Sequence, residues 1–438
     1  MKVLKFGGTS VGTPEKIKSL VRLIDYPETK IVVLSAMSGT TDALAEITRL
    51  LYDKNSDAAN TKINELEEKY IHTVDELFDS ESYKKQGNEM VESHFSYIRN
   101  FTVKVFTKLQ EKAILAQGEL ISTALLHFYL QENEKDSVLI PALNFMRIDK
   151  DNEPDYFYIR ENLERELKPR KNTSIIITQG YICRNAYGEV DNLKRGGSDY
   201  TASLIGAALD ASEIQIWTDI NGFHNNDPRF VKNTSVLREL SFDEAAELAY
   251  FGAKILHPTS VLPCKEKNIP VRLKNTMLPE DPGTLITGKY THDEIKAVAA
   301  KDGITVVKIK SDRMLLAYGF LRKIFEIFEI YKTPIDMITT SEVAVSLTID
   351  DTTNLNEIEA ELNKFGQVEI ERDKAIICVI GDFIAEKSGS ALKIMEALKD
   401  IPLRMISYGG SRHNISVLVN AEAKVPALNA LSGHLFKK

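Results

Sequence analysis

Lys5 stands inside Val3-Leu4-Lys5-Phe6, a run that reads as a β-strand, and the run ends in Gly7-Gly8-Thr9-Ser10. A lysine in a buried strand loses solvation unless an anion compensates it, and glycines at a strand end let backbone N–H groups approach a ligand. The stretch therefore reads as a phosphate grip. Thr9 and Ser10 add hydroxyl donors, and the helix expected from Pro14 starts with a dipole that favours negative charge. A lysine at a strand edge before an ordinary Gly-Gly turn is the plainer alternative. Neither GxxxxGK[ST] nor a strand followed by GxGxxG occurs, so a nucleotide site here must be built differently from those two loops.

Four other stretches carry similar chemistry. VVLSAMSGTTD (32–42) runs from a strand into small hydroxyl residues, including Ser35 and Thr41, well shaped to hold a polar small molecule at a sheet edge. LKRGGSDYTASLIGAAL (193–209) sets Arg195 ahead of a Gly-Gly turn and puts Ser198 and Asp199 at the start of an apolar helix. Arginine grips carboxylates bidentately, although Ser198 or Asp199 would equally serve as an N-cap. AILAQGELIST (113–123) holds Glu119 in an apolar helix, where a carboxylate needs a partner such as a substrate amine. WTDINGFHNNDPR (217–229) ends a strand in Thr218-Asp219 and adds Asp227 and Arg229; taken alone it is also an ordinary polar loop.

These residues need elements to position them. Up to residue 275, KVLKF, KIVVLSA, SVLIPA, SIIITQG, EIQIWTD and IPVRLKN alternate with helical periodicity, the pattern of an α/β domain on a largely parallel sheet. Residues 55–110, sparse in apolar positions, read as a solvated helical hairpin packed on the outside. After the Pro- and Gly-rich segment 275–288 the chain repeats a β-α-β-β unit, ITVVKI at 304 and AIICVI at 375, offset by about 71 residues, which fits twin α+β domains.

With 438 residues the chain exceeds one core, and a net charge of -8 without a basic stretch argues against nucleic acid. Cys183, Cys264 and Cys378 form no CxxC pair, and no histidine spacing suggests a metal site, so no protein metal ligand is assigned. The start carries no basic and apolar leader, and no run of 18 apolar residues occurs, so a cytoplasmic protein without a membrane segment is expected.

Taken in order, KFGGTSVG, VVLSAMSGTTD, GELIST, KRGGSDYTA, TDINGFHNNDPR and FGAKILHP resemble the motifs of aspartate kinases in the amino-acid kinase family, over nearly the whole chain. The tail is similar to their paired ACT domains, and GFL...IDMITTSEVAVSLTID resembles the effector unit of lysine-sensitive, monofunctional forms. The resemblance implies a parallel-sheet kinase sandwich at 1–288 and two α+β ACT domains. The first of these would be 304–372, inserted into a second made of 296–302 plus 373–438. It implies ATP-dependent phosphorylation of the side-chain carboxylate of L-aspartate, with Mg²⁺, at the start of lysine, threonine and methionine synthesis.

By that resemblance Lys5 neutralises the transferring phosphoryl group, cradled by Gly7, Gly8, Thr9 and Ser10, and Asp199 organises Lys5 and the nucleotide centre. Arg195 and Ser198 hold aspartate with Ser35 and Thr41 nearby, while Glu119 takes its ammonium. Thr218, Asp219, Arg229 and Lys254 face the nucleotide. Effector contacts fall on Met314, Gly319, Phe320, Leu321, Ile335, Asp336, Ser341 and Glu342, with lysine the expected effector and threonine the alternative. A homodimer through the ACT domains is implied, with a tetramer as the larger option, and the length leaves no room for a fused homoserine dehydrogenase. Two competing readings are a kinase of the same fold for another acid and a non-catalytic amino-acid sensor.

Overall fold

The structure, a computed structural model, describes residues 1–103, 105–193, 196–252, 255–289, 295–311 and 318–436. The chain divides into two compact units. The first comprises Met1–Phe223, Arg238–Phe242 and Leu256–Gly288, and the second His224–Leu237, Asp243–Ile255 and Lys289–Lys438.

The strands of the first unit are β1 (Lys2–Phe6), β2 (Lys30–Leu34), β3 (Ser137–Leu139), β4 (Ile175–Gln179), β5 (Ile182–Arg184), β6 (Val190–Asn192), β7 (Glu213–Thr218), β8 (Glu239–Ser241), β9 (Val271–Asn275) and β10 (Thr284–Thr287). Eight of them form one sheet in the order β3-β4-β2-β1-β7-β9-β10-β8, and β5 and β6 form a separate hairpin. All neighbours in the large sheet run parallel except β9 and β10, so the six strands read from sequence are joined by an antiparallel return and a short edge strand. Strand alternation divides the side chains between two faces. Leu4, Phe6, Val32, Leu34, Ile175 and Ile177 enter one core cluster. Lys5 lies opposite them, on the side of Ile214, whose side chain presses on Gly206 of the helix Gly197–Ala208.

Residues 55–110 differ from the solvated hairpin expected. They form two helices, Ser56–Leu77 and Glu81–Arg99, that bury Ile63, Leu66, Tyr70, Val74, Leu77, Val91, Phe95 and Ile98 in that same cluster. Their charges occupy the outer faces, and the few apolar residues recur at helical spacing, so a low count still makes a continuous stripe. The helical stretch 108–132 has the length and hydropathy of a membrane span, but most of it is buried in the first unit, as a core helix is.

The second unit holds one antiparallel sheet of six strands: β11 (Ile295–Lys310), β12 (Ile338–Thr340), β13 (Ala344–Ile349), β14 (Gln367–Gly381), β15 (Met405–Tyr408) and β16 (Asn414–Asn420). Their order is β12-β13-β11-β14-β16-β15. β11 and β14 are each long enough to serve both repeats. Ala297–Lys301 pairs with Ile376–Ile380, and Val306–Lys310 with Gln367–Glu371. Each repeat has a further helix beyond β-α-β-β, Leu355–Leu362 and Lys424–Leu435, and each has its own core cluster.

The two helices of 55–110 touch through Gly87, where a Cβ would stand 2.9 Å from Val74 Cγ1 and 3.1 Å from Phe78 Cε2. Alanine raises helix propensity by about 1 kcal/mol, yet the lost space outweighs that gain. Gly87→Ala is expected to lower unfolding free energy by about 1–2 kcal/mol net in urea titration. A more stable variant would show that the helices simply part.

Candidate functional site

Parallel strands bring their carboxyl ends to one edge, and the adjacent strands β4, β2, β1 and β7 deliver the sequence motifs there together. Backbone bonds lock the junction. Gly7 N–H donates to the Trp217 carbonyl at 3.2 Å, Ser35 N–H to Phe6 at 3.1 Å, and Gly180 N–H to Leu34 at 2.8 Å.

Lys5 Nζ meets Asp199 Oδ1 at 2.7 Å, and both side chains are nearly buried. Neither Asp199 nor Ser198 caps its helix: the cap is Gly196, at φ 73°, where a side chain would be strained. The two therefore sit in the first helical turn with their side chains free for other partners. This turn is wedged against the end of β4, since a Cβ on Gly180 would fall 2.5 Å from Ser198 Oγ. Tyr181, next in line, takes a left-handed backbone at φ 68° and donates its N–H to Thr201 Oγ1 at 3.0 Å. Sequence reading missed this corner, although Gly180-Tyr181 directly after a five-residue buried strand marks a sharp turn.

The glycines crowd the same edge. A Cβ on Gly7 would stand 3.5 Å from Lys5 Nζ, in the space an anion needs, and one on Gly8 would stand 2.8 Å from the Ala36 carbonyl. Thr9 is exposed. Ser10 departs from the expected cradle: it is buried, and its hydroxyl lies 3.5 Å from the Trp217 carbonyl and 3.4 Å from Thr276 Oγ1. The short helix Gly8–Ser10 turns it inward, so it fastens the loop to the sheet.

Glu119 lies in the first turn of the helix Gln117–Glu132, 4% exposed, and its Oε2 accepts no hydrogen bond. Burial pushes its carboxyl up to about 8, against the pull of backbone N–H groups at Ala36 and Glu119 and of the Lys5 ammonium. Ser122, one turn on, donates to the Ser35 carbonyl at 2.9 Å and ties this helix to the loop after β2. Ser35 is half-buried and Thr41 exposed. Thr218 and Asp219 end β7, where Thr218 Oγ1 contacts Asp219 Oδ1 at 3.2 Å.

Lys5, Gly7, Gly8, Ser35 and Asp199 thus gather at one edge, with Glu119 tied to it through Ser35 and Ser198 lodged against the end of β4. Arg195, Lys254 and Met314 lie outside the described residues. Arg229 belongs to the second unit, where Asp227 holds it through Nη2–Oδ2 at 2.6 Å and Nε–Oδ1 at 2.9 Å. Among the described residues no group of three or more His, Cys, Asp or Glu side chains gathers as for a metal.

The amino acid kinase family model matches residues 1–275, and an ACT domain model matches 377–435. Lysine-sensitive aspartokinase 3 of Escherichia coli (strain K12) is 32% identical, the alignment covering 99% of each chain. The chain belongs to the amino acid kinase family, as an aspartate kinase. The crystal structure of E. coli aspartokinase III in complex with aspartate and ADP (R-state) matches this aspartate kinase with a TM-score of 0.83 at 31% identity, covering 100% of both chains. The complex with lysine and aspartate (T-state) matches with 0.81 at 31% identity, again over 100% of both.

In the second unit of this aspartate kinase, Gly319 caps the helix Phe320–Ile330 at φ 81°, with open space around its Cα. Phe320 and Ile335 pack into the core of the first repeat, while Leu321, Ser341 and Glu342 are exposed. Asp336 is already engaged. Its Oδ1 accepts from Tyr250 Oη at 2.6 Å and Lys301 Nζ at 2.7 Å, and its Oδ2 is buried without a hydrogen bond.

Removing one member of a buried ion pair leaves the other charge uncompensated, at about 3–5 kcal/mol. Lys5→Ala is expected to lower the unfolding free energy by about 3 kcal/mol, read by denaturant titration, because Asp199 keeps its burial and loses its cation. Unchanged stability would show that Asp199 finds another donor.

Proposed function

We propose that the edge formed by β1, β2, β4 and β7 transfers the γ-phosphoryl group of ATP to the side-chain carboxylate of L-aspartate, giving 4-phospho-L-aspartate and ADP. The carrying observation is a nearly buried Lys5–Asp199 pair beside glycines whose missing side chains leave room at the Lys5 ammonium. A carboxylate oxygen attacks the γ-phosphorus while the bond to the β,γ-bridging oxygen breaks and its electron pair leaves with ADP. No general base is needed, because the aspartate side chain is ionised at pH 7. Two anions must meet, so alignment and charge neutralisation are the main tasks.

Lys5 neutralises the phosphoryl oxygens, and Asp199 fixes its direction. Gly7 and Gly8 give the phosphates backbone access, with Thr9 as an exposed hydroxyl. Ser35, Thr41, Ser198 and Arg195 hold aspartate, and the unpartnered Oε2 of Glu119 takes its ammonium. Thr218 and Asp219, at the end of β7, serve the nucleotide. The residues fit Mg²⁺ carried in on the phosphates with its own waters, which supplies further charge neutralisation.

The second unit carries feedback by lysine, with threonine as the alternative effector. Glu342, exposed, and the buried free oxygen of Asp336 are the acids suited to its ammonium, and Gly319, Phe320, Leu321, Ile335, Ser341 and Met314 are assigned as further contacts. We assign the kinase domain to 1–288 and the two ACT domains to 304–372 and to 296–302 with 373–438. Exposed Leu321, Phe325, Ile330 and Val343 favour a homodimer through the tails. The cysteines are all buried and unpaired, in keeping with a cytoplasmic setting.

Acyl phosphate formation trapped as the hydroxamate, dependent on both ATP and aspartate, tests the reaction; no turnover with aspartate would overturn it. Glu119 adds a pH signature. Its carboxyl, near 8 in the free protein, must ionise to take the ammonium, so binding releases a proton and KM for aspartate falls as pH rises toward about 8. Glu119→Gln should raise that KM at least about tenfold and flatten the slope; a slope that survives would assign it to another group. Glu342→Ala is expected to weaken inhibition by lysine about tenfold with the uninhibited rate unchanged, whereas intact inhibition would move the ammonium site.

A further inference from the structure

Tyr70 is the largest fully buried side chain of the first unit, and it belongs to the helix Ser56–Leu77 rather than to any motif of the active edge. Its hydroxyl meets Thr40 Oγ1 at 2.8 Å, with Thr40 itself 1% exposed. Thr40 begins the helix Thr40–Tyr52, directly after the left-handed Gly39 and directly before Thr41. The other branch of Thr40, its Cγ2, faces Gly118, where a Cβ would come within 3.1 Å. Gly118 in turn precedes Glu119.

A threonine has three staggered positions about χ1, and here both branches are committed: the hydroxyl to Tyr70 and the methyl to Gly118. The residue before Tyr70 reinforces the arrangement, since Lys69 Nζ donates to the Ser38 carbonyl at 2.8 Å. Apart from these two contacts, Ser38-Gly39-Thr40-Thr41 is held by the Thr40 N–H to the Met37 carbonyl at 3.0 Å and by the bond from Ser38 N–H to Gly8. Burial pushes the Tyr70 phenol above its ordinary range and the Glu119 carboxylate pushes the same way, so the phenol stays protonated and able to donate close to the carboxylate proposed to take the substrate ammonium.

We propose that Tyr70 is a positioning residue for the amino-acid substrate, acting through Thr40 to hold the loop that carries Ser35 and Thr41 in register with Glu119. The inference rests on the proposed reading that these three residues bind aspartate. The phosphate side of the loop is tied separately, by Ser38 N–H to the Gly8 carbonyl at 3.2 Å, and does not depend on the phenol. Loss of the phenol therefore loosens aspartate binding and leaves nucleotide binding alone.

Three variants of the full chain test this: Tyr70→Phe, Thr40→Val and the two together, each assayed by hydroxamate trapping and thermal unfolding. Tyr70→Phe should raise KM for aspartate about 5- to 10-fold, with KM for ATP and kcat within about twofold of the parent. Thr40→Val should do the same, and the double variant should be no worse than either, because one interaction is shared. The double variant should also recover melting temperature relative to Tyr70→Phe, since no buried hydroxyl is left unpaired, yet keep the raised KM. Recovery of stability together with normal KM would reduce Tyr70 to a packing residue and overturn the proposal, as would an unchanged KM for aspartate in Tyr70→Phe. Equal loss in both substrates' KM values would overturn it too. A parent chain with no aspartate-dependent turnover would instead remove the reading on which the proposal stands.

Discussion

A lysine at the centre of a sheet must find a compensating group, and the first unit is arranged around that demand. β1 lies between β2 and β7, so Lys5 has strands on both sides and the helix Gly197–Ala208 on its face. The helix supplies Asp199, but from its first turn, which is where backbone N–H groups without partners also point. One carboxylate thus holds the lysine from a helix turn whose own N–H groups favour an anion. Lys30, on the neighbouring strand and fully buried, shows the alternative. It donates hydrogen bonds to the Ile24 and Tyr26 carbonyls and lies against the Tyr26 ring, with no carboxylate beside it among these contacts. Two lysines one strand apart thus differ in setting: one meets carbonyls and the other a carboxylate.

The edge at the ends of β1, β2 and β4 was legible in the sequence wherever a strand with continuous apolar character ran straight into glycines and hydroxyls. KFGGTS, VVLSAMSGTT and the Glu119 helix arrive where parallel-strand geometry puts them. Ser10 was not legible: whether a hydroxyl next to a glycine pair turns toward ligand or toward the sheet depends on one short helical turn, and its partners, Trp217 and Thr276, lie more than two hundred residues away. The helices of 55–110 were misjudged for a related reason. Charge content sets what faces water, whereas burial depends on whether the remaining apolar residues align, and Ile63, Leu66, Tyr70, Val74 and Leu77 do align. Tyr70 could not be read as anything but core until its hydroxyl had an address.

In the tail, hydrophobic periodicity revealed the duplication but not its joint. Helices such as Leu355–Leu362 follow their strands after short polar links and carry only a narrow apolar stripe, so they add little to the pattern. The segment around Arg229 is a further instance. Its polar residues suggested a loop of the kinase body, yet Phe230 and Val231 enter the core of the second repeat, and two aromatic or branched residues outweighed the polar ones.

The long strands β11 and β14 have a historical implication. Gly303 at φ 74° and Asp373 at φ 57° interrupt them near their midpoints, and the register shifts between Lys301 and Ile304 and again before Val306. Each repeat therefore borrows half of two strands whose other halves belong to its twin. A duplication entangled in this way cannot be reversed by deleting one copy, because the survivor would lose the backbone partners of its own sheet. Whatever freedom evolution has in this tail lies in its helices and edge strands, and the pair must be inherited, exchanged or lost as one piece.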